Sequence, residues 1–423
     1  TIWKKRIVKK DLCTVEEATS KILARVKRLP REIIEVSRAC GRVIDEDVCV
    51  DCDIPPSMIS LRDGYAICSE DFKHDSPIDG LKIIGVITAG DVPSFTVTPG
   101  TAAKIATGAL LPEGADTVIP YEDVVIGEKK IFLKSTPLRG QFILKPGSLA
   151  REGNVVAKKG QILTPMSVCS IVDCGKAFLK VVRKPRVGIM VTGNEVVELD
   201  SRNNKDHVFC SNRYLLVSLV KNYGGNELPL GICPDDERDI ASVLESSHGC
   251  DCVIISGGTG KGEHDCVRKA WNLAGIDTVF DGVMMHPARG TACGWKDGVF
   301  YFSLPGNPFA SGIAFVQFVS VALLNLSGVV ITFPPSTRAR LSEDLNTKES
   351  NVPKYFWGKA TWIESGMIVQ PLGMDRTNPL TEISLANCVV KVDPGRKSLK
   401  KDSPVFIQPV SFGSHLGYVS YLV

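Results

Sequence analysis

The sequence predicts a multidomain α/β protein with additional β-rich parts, and three stretches predict it. From Arg186 to about residue 330, strand-length apolar runs alternate with amphipathic helical stretches. That alternation implies right-handed βαβ units and a mostly parallel, helix-covered sheet. Between residues 51 and 140, short apolar runs alternate with Gly and Pro turns, as in a small β-rich unit. Beyond about Ile331 the chain is β-rich again to its end, which predicts a small barrel or sandwich. A length of 423 residues exceeds one ordinary domain.

The elements follow in order. Residues 12 to 30 carry Val15, Ala18, Ile22 and Val26 at helical spacing. Thr14 with Glu17 three residues later makes a capping box. In the β-rich stretch, Leu81-Lys-Ile-Ile-Gly-Val-Ile87 and Ala103-Lys-Ile105 are strand candidates. Val187-Gly-Ile-Met-Val191 reads as a buried strand. Ser211 is expected to cap a helix carrying Leu215, Leu216, Leu219 and Val220 and ending at Gly224-Gly225. A strand around 228–232, a helix over 235–247, a strand over 251–255 and a helix over about 265–273 complete the series. Phe309 to Phe333 has no charged residue and could span a bilayer by length. It contains Gln317 and Asn325 and follows a Pro-Gly-Asn-Pro turn, so it is expected to be a buried helix plus a following strand.

Composition excludes several classes. A hydrophobic fraction of 44% with 23% charged residues describes a globular chain with large cores. A formal net charge of +3 is too even for a nucleic-acid surface. The basic pairs near the N-terminus, Lys4-Lys5-Arg6 and Lys9-Lys10, read as a solvated end without a secretory h-region. The 14 cysteines are scattered among apolar residues, as buried thiols of a reduced, cytoplasmic protein are. Cys49-Val-Asp-Cys52 has metal-knuckle spacing but no second CxxC to complete a tetrahedral site. No nucleic-acid partner and no membrane are expected.

Open α/β sheets bind ligands at the carboxyl ends of their strands. Four loops there are polar and glycine-rich: Thr192-Gly-Asn-Glu195, Cys233-Pro-Asp-Asp236, Ser256-Gly257-Gly258-Thr259-Gly260-Lys261-Gly262-Glu263-His264-Asp265, and Leu304-Pro305-Gly306-Asn307-Pro308. In the third loop the glycines let the backbone approach an anion, and the following helix aims N–H groups at it. Glu263 and Asp265 would repel a bare phosphate, so a bridging Mg²⁺ suits them. Glu195, Asp235, Glu263 and Asp265 are hard oxygen donors without a His/Cys set, which favours Mg²⁺ over zinc. The loop lacks P-loop spacing.

The ordered set of these segments resembles the MoeA/gephyrin E-domain family. The matching pieces are Pro55-Pro56 with Asp63-Gly-Tyr-Ala66, Thr107-Gly-Ala109 with Pro112-Glu-Gly-Ala-Asp116, and Thr192-Gly-Asn-Glu195. Ser211-Asn-Arg213, Ser256-Gly-Gly258, Gly262-Glu-His-Asp265 and Leu304-Pro-Gly-Asn-Pro308 follow in the same order. The resemblance covers nearly the whole chain. It implies four parts: residues 1–50 with 141–183, a β-rich insert over 51–140, a three-layer α/β molybdopterin-binding domain over 184–330, and a C-terminal barrel-like β domain over 331–423. It implies a homodimer with shared active sites. The activity implied is molybdopterin molybdotransferase: Mg²⁺-dependent insertion of molybdate into adenylylated molybdopterin, with release of AMP. The substrates are molybdopterin-AMP and molybdate, and a client molybdoenzyme is a possible partner.

Carried over by resemblance, Asp63, Glu195, Asp235 and Asp265 are the catalytic acids, the last three also holding Mg²⁺. Thr107, Ser256, Gly257, Gly258, Thr259, Gly260, Arg289, Pro305, Gly306 and Asn307 are the expected ligand-binding residues. Departures accompany the likeness. Leu149 stands at a family aspartate, Cys210 at the Asp of Asp-Ser/Thr-Asn, and His286 and Arg289 at two lysines of an anion loop. These changes keep alternatives open. One is a non-catalytic or specialised paralogue that binds a molybdopterin nucleotide for delivery or serves as a dimeric scaffold. Another, suggested only by Gly257-Gly258-Thr259-Gly260, is an adenylyltransferase.

Overall fold

The computed structural model describes residues 12–72, 80–200, 207–258, 266–373 and 379–410. The chain divides into two compact units. One comprises residues 47–158 with 169–176; the other holds 1–46, 159–168 and 177–423.

Helix α1 (Val15–Leu23) opens the larger unit with the expected capping box, Glu17 N–H to Thr14 Oγ1 and Thr14 N–H to the Glu17 carboxylate. It is shorter than its apolar spacing suggested. Beyond Ala24 the chain leaves the helix towards Pro30, where the Leu29 N–H is given to the Leu326 carbonyl. Proline disfavours helical backbone in the residue before it.

The smaller unit is built on a six-stranded sheet. Its strands are β1 (Gly64–Ile67), β2 (Leu81–Ile87), β3 (Thr101–Ile105), β4 (Thr117–Pro120), β5 (Val124–Ile126) and β6 (Lys130–Leu133). The spatial order is β4-β1-β3-β2-β6-β5. β1 is the pivot, antiparallel to both neighbours, with Gly64 opposite Ile105 on β3 and Pro120 on β4. All four residues of β1 and all four of β4 are buried, so both strands read as apolar runs. Glycine is required at position 64, because a Cβ there would sit 1.9 Å from the Ile119 carbonyl oxygen.

The α/β sheet of the larger unit contains β7 (Arg186–Thr192), β8 (Asn226–Cys233), β9 (Cys252–Ser256), β10 (Asp277–Asp281), β11 (Ala292–Lys296) and β12 (Val299–Leu304). The order is β8-β7-β9-β12-β11-β10; the first four are parallel, and β11 and β10 add an antiparallel edge. Side chains alternate between two cores, as a strand's two-residue period requires. Val187, Ile189, Cys252 and Ile254 face one; Met190, Val253 and Ile255 face the other. Helix α2 (Ser211–Asn222) packs in the first core; α3 (Glu237–Ser246) and α4 (Cys266–Leu273) pack in the second. The result is the predicted three-layer α/β architecture. The expected cap of α2 is corrected: Ser211 is already helical and Cys210 is the N-cap, without a side-chain capping bond.

Helix α5 (Pro308–Leu326) is long and apolar enough to cross a membrane, but 89% of its most apolar stretch is buried inside the fold. Asn307 caps it through Phe309 N–H, and Pro308 occupies its first turn. A π-helical turn over Phe315–Val319 carries Gln317, whose amide pairs with that of Gln408 at 2.6 Å in the core. The strand expected after this helix is absent; the next strand begins at Thr337. Asn325 explains this, because its side-chain amide takes both the carbonyl and the N–H of Ile331. Pro334-Pro335 then follow, and proline cannot donate to a ladder.

The C-terminal part is the expected closed barrel, with β13 (Thr337–Leu341), β14 (Lys354–Ile363), β15 (Gly366–Gly373), β16 (Cys388–Val392) and β17 (Pro404–Pro409) in the order β13-β15-β14-β16-β17. Leu341, Val369, Val390 and Ile407 fill its interior. The Trp357 indole N–H on β14 bonds the Phe309 carbonyl at the start of α5.

Candidate functional site

In the larger unit, β7, β8, β9 and β12 run parallel, so their carboxyl ends lie along one sheet edge. Thr192 ends β7, and Asp235, Gly257 and Gly306 follow the ends of β8, β9 and β12. With residues 208–212 they enclose a cavity of about 310 Å³. Its lining includes Gly193, Glu195, Phe209, Cys210, Asn212 and Ser256.

A directional network fixes one wall. The Asn212 amide donates to the Gly306 carbonyl at 2.9 Å and to Ser256 Oγ at 2.7 Å. Ser256 Oγ in turn donates to the Pro305 carbonyl at 3.1 Å. A carbonyl only accepts, so Nδ2 must face Gly306, and Oδ1 is turned the other way. Asn212 Oδ1 and Thr192 Oγ1 are buried and have no partner among the described residues. An unpaired buried polar atom costs about 1–3 kcal/mol. Two of them on one cavity wall mark a place where a ligand or water completes the bonding.

Gly257 has no alternative residue at this wall. Its φ is +107°, and a Cβ would lie 2.2 Å from the Thr192 carbonyl oxygen. At Gly258, φ +59°, a Cβ would lie 2.8 Å from Thr192 Oγ1 and 3.0 Å from Val267. The Glu195 and Asp235 carboxylates are exposed on the cavity rim. Burial pushes the Cys210 thiol up from its ordinary range, so the N-cap of α2 presents a neutral SH. Cys233, at the end of β8, is pushed to about 11 by burial and by the charges of Asp239, Asp236 and Asp235.

Among the expected binding residues, Ser256, Gly257, Gly258 and Gly306 line the cavity. The Pro305 carbonyl lies behind it as the acceptor of Ser256. The Asn307 side chain is committed to capping α5. Arg289 lies on an exposed loop and is not part of this lining. Thr259, Gly260, Glu263 and Asp265 fall outside the described residues. No preassembled group of three or more His, Cys, Asp or Glu residues exists among the described residues. Glu195 and Asp235 are hard oxygen donors on one rim, a set that fits Mg²⁺ and not a thiophilic metal. Sequence reasoning put Thr192 in a ligand-facing loop and Asn212 in a family segment without giving either a site role, and it missed Phe209. Asn212 in the first turn of a helix carries no signal of its own; only pairing with loops 44 and 94 residues away gives it a role.

The smaller unit holds a second cluster. Asp63 immediately precedes β1, Thr107 follows β3 and Tyr121 follows β4, so the antiparallel register brings them together. Thr107 donates its N–H to Asp63 Oδ1 at 2.7 Å and its hydroxyl to the same atom at 3.0 Å. The amide first and the hydroxyl second hold the Asp63 carboxyl below its ordinary range. Tyr121 N–H bonds the Asp63 carbonyl at 3.3 Å. Leu149, in the same unit, is 68% exposed.

Comparisons with known proteins agree with this architecture. Residues 13–175 match the family described as MoeA N-terminal region (domain I and II), and residues 188–325 match the probable molybdopterin binding domain. The chain is 29% identical over 407 residues to a molybdopterin molybdenumtransferase of Staphylococcus aureus, covering 95% of this chain and 96% of the relative. A Staphylococcus epidermidis protein of the same name is 27% identical over 93% of this chain and 94% of its own length. Among solved structures, a molybdopterin biosynthesis MoeA protein from Pyrococcus horikoshii superposes with a TM-score of 0.79 at 26% identity, covering 95% of this chain and all of that one. A molybdenum cofactor biosynthesis protein from Pyrococcus furiosus shares the fold with a TM-score of 0.56 at 20% identity.

Proposed function

We propose, from the premise that this chain belongs to the MoeA family, that it is a molybdopterin molybdotransferase. It hydrolyses the phosphoanhydride of adenylylated molybdopterin, releases AMP and inserts molybdate into the dithiolene. The observation that carries this reading is the cavity at the ends of four parallel strands, whose wall keeps two buried oxygens unpaired.

The residues divide the work by their chemistry. Gly257 and Gly258 let the ligand approach the backbone where a side chain would block it. Asn212 and Thr192 complete their bonding with the ligand's polar edge. Glu195 and Asp235, together with Asp265, would hold Mg²⁺, which supplies positive charge for the phosphoanhydride oxygens when bound. Asp63, ionised and oriented by Thr107, accepts a proton or orients the attacking water at the phosphoanhydride. Thr259, Gly260, Pro305, Gly306, Asn307 and Arg289 belong to the same proposed binding set. Arg289 can supply positive charge for an anion such as molybdate.

The proposal extends to organisation. The chain works as a four-part subunit (1–50 with 141–183, 51–140, 184–330, 331–423) in a cytoplasmic homodimer with shared sites, and hands its product to a client molybdoenzyme. Light scattering tests the dimer. Reconstitution with adenylylated molybdopterin, Mg²⁺ and molybdate tests the chemistry, with AMP and active cofactor as readouts. A second reading, a paralogue that binds the nucleotide without turning it over, is favoured by one observation: Leu149, at a family aspartate, offers an exposed apolar side chain.

A further inference from the structure

On β3, next to the strand that Asp63 leads into, stands a lysine that the proposed reaction does not use. Lys104 lies on β3 directly opposite Tyr65 of β1, one residue before the Ile105–Gly64 pair. Its ammonium sits over the Tyr121 ring, 5.4 Å from the centroid. The Tyr65 ring meets Tyr121 edge-on, with centroids 5.5 Å apart and an interplanar angle of 80°. Tyr65 is buried, so Tyr121 is held from below by packing and at its backbone by the bond to Asp63. The platform under Lys104 is therefore anchored to the same turn that carries the acid.

The charges on this edge are left separate. Both Thr107 donors go to Asp63 Oδ1, and Oδ2 has no partner among the described residues. Lys104 is exposed, and no ion pair joins it to Asp63 or to any other described carboxylate. A lysine seated on an aromatic face turns part of its ammonium to the ring and keeps other N–H donors free for a ligand. Burial and the Asp63 charge push the Tyr121 hydroxyl up, so it remains a neutral donor beside the pair.

We propose that Lys104, seated on Tyr121, is the phosphate-binding residue of the Asp63 site and takes a phosphoanhydride oxygen of the ligand. This rests on the reading that Asp63 acts on that phosphoanhydride. Asp63 alone would repel the anion; Lys104 supplies the opposite charge on the same edge, with Tyr121 as its positioning residue.

The test is equilibrium binding and turnover of adenylylated molybdopterin by the full chain with Mg²⁺, comparing wild type, Lys104→Met, Lys104→Arg, Tyr121→Leu and the control Lys130→Met. Lys130 lies on β6, away from the cluster, and carries the same charge. Lys104→Met should raise Kd about tenfold, the order for one lost charge-assisted bond. It should also flatten the dependence of log Kd on log salt. Lys104→Arg should recover most of the affinity, Tyr121→Leu should show a smaller loss, and Lys130→Met should match wild type. A Lys104→Met affinity and salt slope equal to wild type overturns the assignment, whatever the turnover. Binding by the wild type without AMP release defeats the catalytic reading while Kd still judges Lys104. No binding by the wild type defeats both.

Discussion

Thr107 gives its backbone N–H and its hydroxyl to the same oxygen of Asp63, at 2.7 and 3.0 Å. Both bonds favour the ionised carboxylate and hold its pKa below the ordinary range. A depressed pKa keeps the acid charged to lower pH, so a reaction that needs the carboxylate is lost only as pH falls through that lowered value. Thr107→Val removes the hydroxyl and keeps the amide. The acid limb of kcat/KM should move to higher pH, with the plateau reached later; an unmoved limb removes Asp63 from the titrating step. Asp63→Asn should cut turnover by about a hundredfold or more, the order for a group that stabilises developing charge.

Gly257 offers a test of the cavity wall. Its φ of +107° and the 2.2 Å approach of a Cβ to the Thr192 carbonyl oxygen exclude any side chain. Gly257→Ala should destabilise the protein by about 2–3 kcal/mol in urea denaturation and abolish ligand binding by calorimetry. Gly290→Ala meets nothing within 4 Å and should stay within about 0.5 kcal/mol of wild type. Equal stability of the two variants would mean that the β7–β9 approach is looser than described.

Asn212 yields a pH-dependent prediction. Its Nδ2 faces the Gly306 carbonyl at 2.9 Å. Asn212→Asp puts an acceptor against an acceptor, and the new carboxyl bonds Gly306 only when protonated. Its folded pKa is therefore raised above the unfolded value. Its contribution is fully present below the unfolded pKa and is lost as pH rises through the folded pKa. The variant should be less stable than wild type by about 2 kcal/mol or more at pH 7, and the deficit should shrink towards pH 4. Chemical denaturation at the two pH values measures it; a deficit independent of pH contradicts the network.

Glu195 and Asp235 share the cavity rim, and their hard oxygens carry the Mg²⁺ assignment. Binding of adenylylated molybdopterin should weaken in excess EDTA, and Glu195→Gln or Asp235→Asn should raise the Mg²⁺ concentration needed by about tenfold. Equal affinity with and without EDTA removes the metal from the account.

Much of this was legible in the sequence. The parallel sheet followed from strand runs such as Val187–Val191 and Asp251–Ile255 alternating with capped helices, and the four polar loops identified the edge where the cavity forms. The long apolar stretch after Pro308 was readable as a core helix, because Gln317 and Asn325 argue against lipid. What failed was local competition. Asn325 satisfies Ile331 with its side chain and so cancels a strand that 329–333 would otherwise favour. Cys210, a residue with no capping tendency, occupies the N-cap position, where its own backbone N–H is held by the Val197 carbonyl and no side-chain capping bond is made. Lys104 and Tyr121 were invisible because their relation to Asp63 depends on the pairing of strands some 40 and 60 residues apart, which one-dimensional periodicity does not encode.

The most direct measurement of the central claim is AMP release from adenylylated molybdopterin by the purified full chain with Mg²⁺ and molybdate. The account predicts AMP stoichiometric with molybdenum cofactor formed, suppressed by EDTA and reduced about a hundredfold by Asp63→Asn. Tight binding of adenylylated molybdopterin with no AMP released under those conditions would contradict it and leave a carrier in place of a transferase.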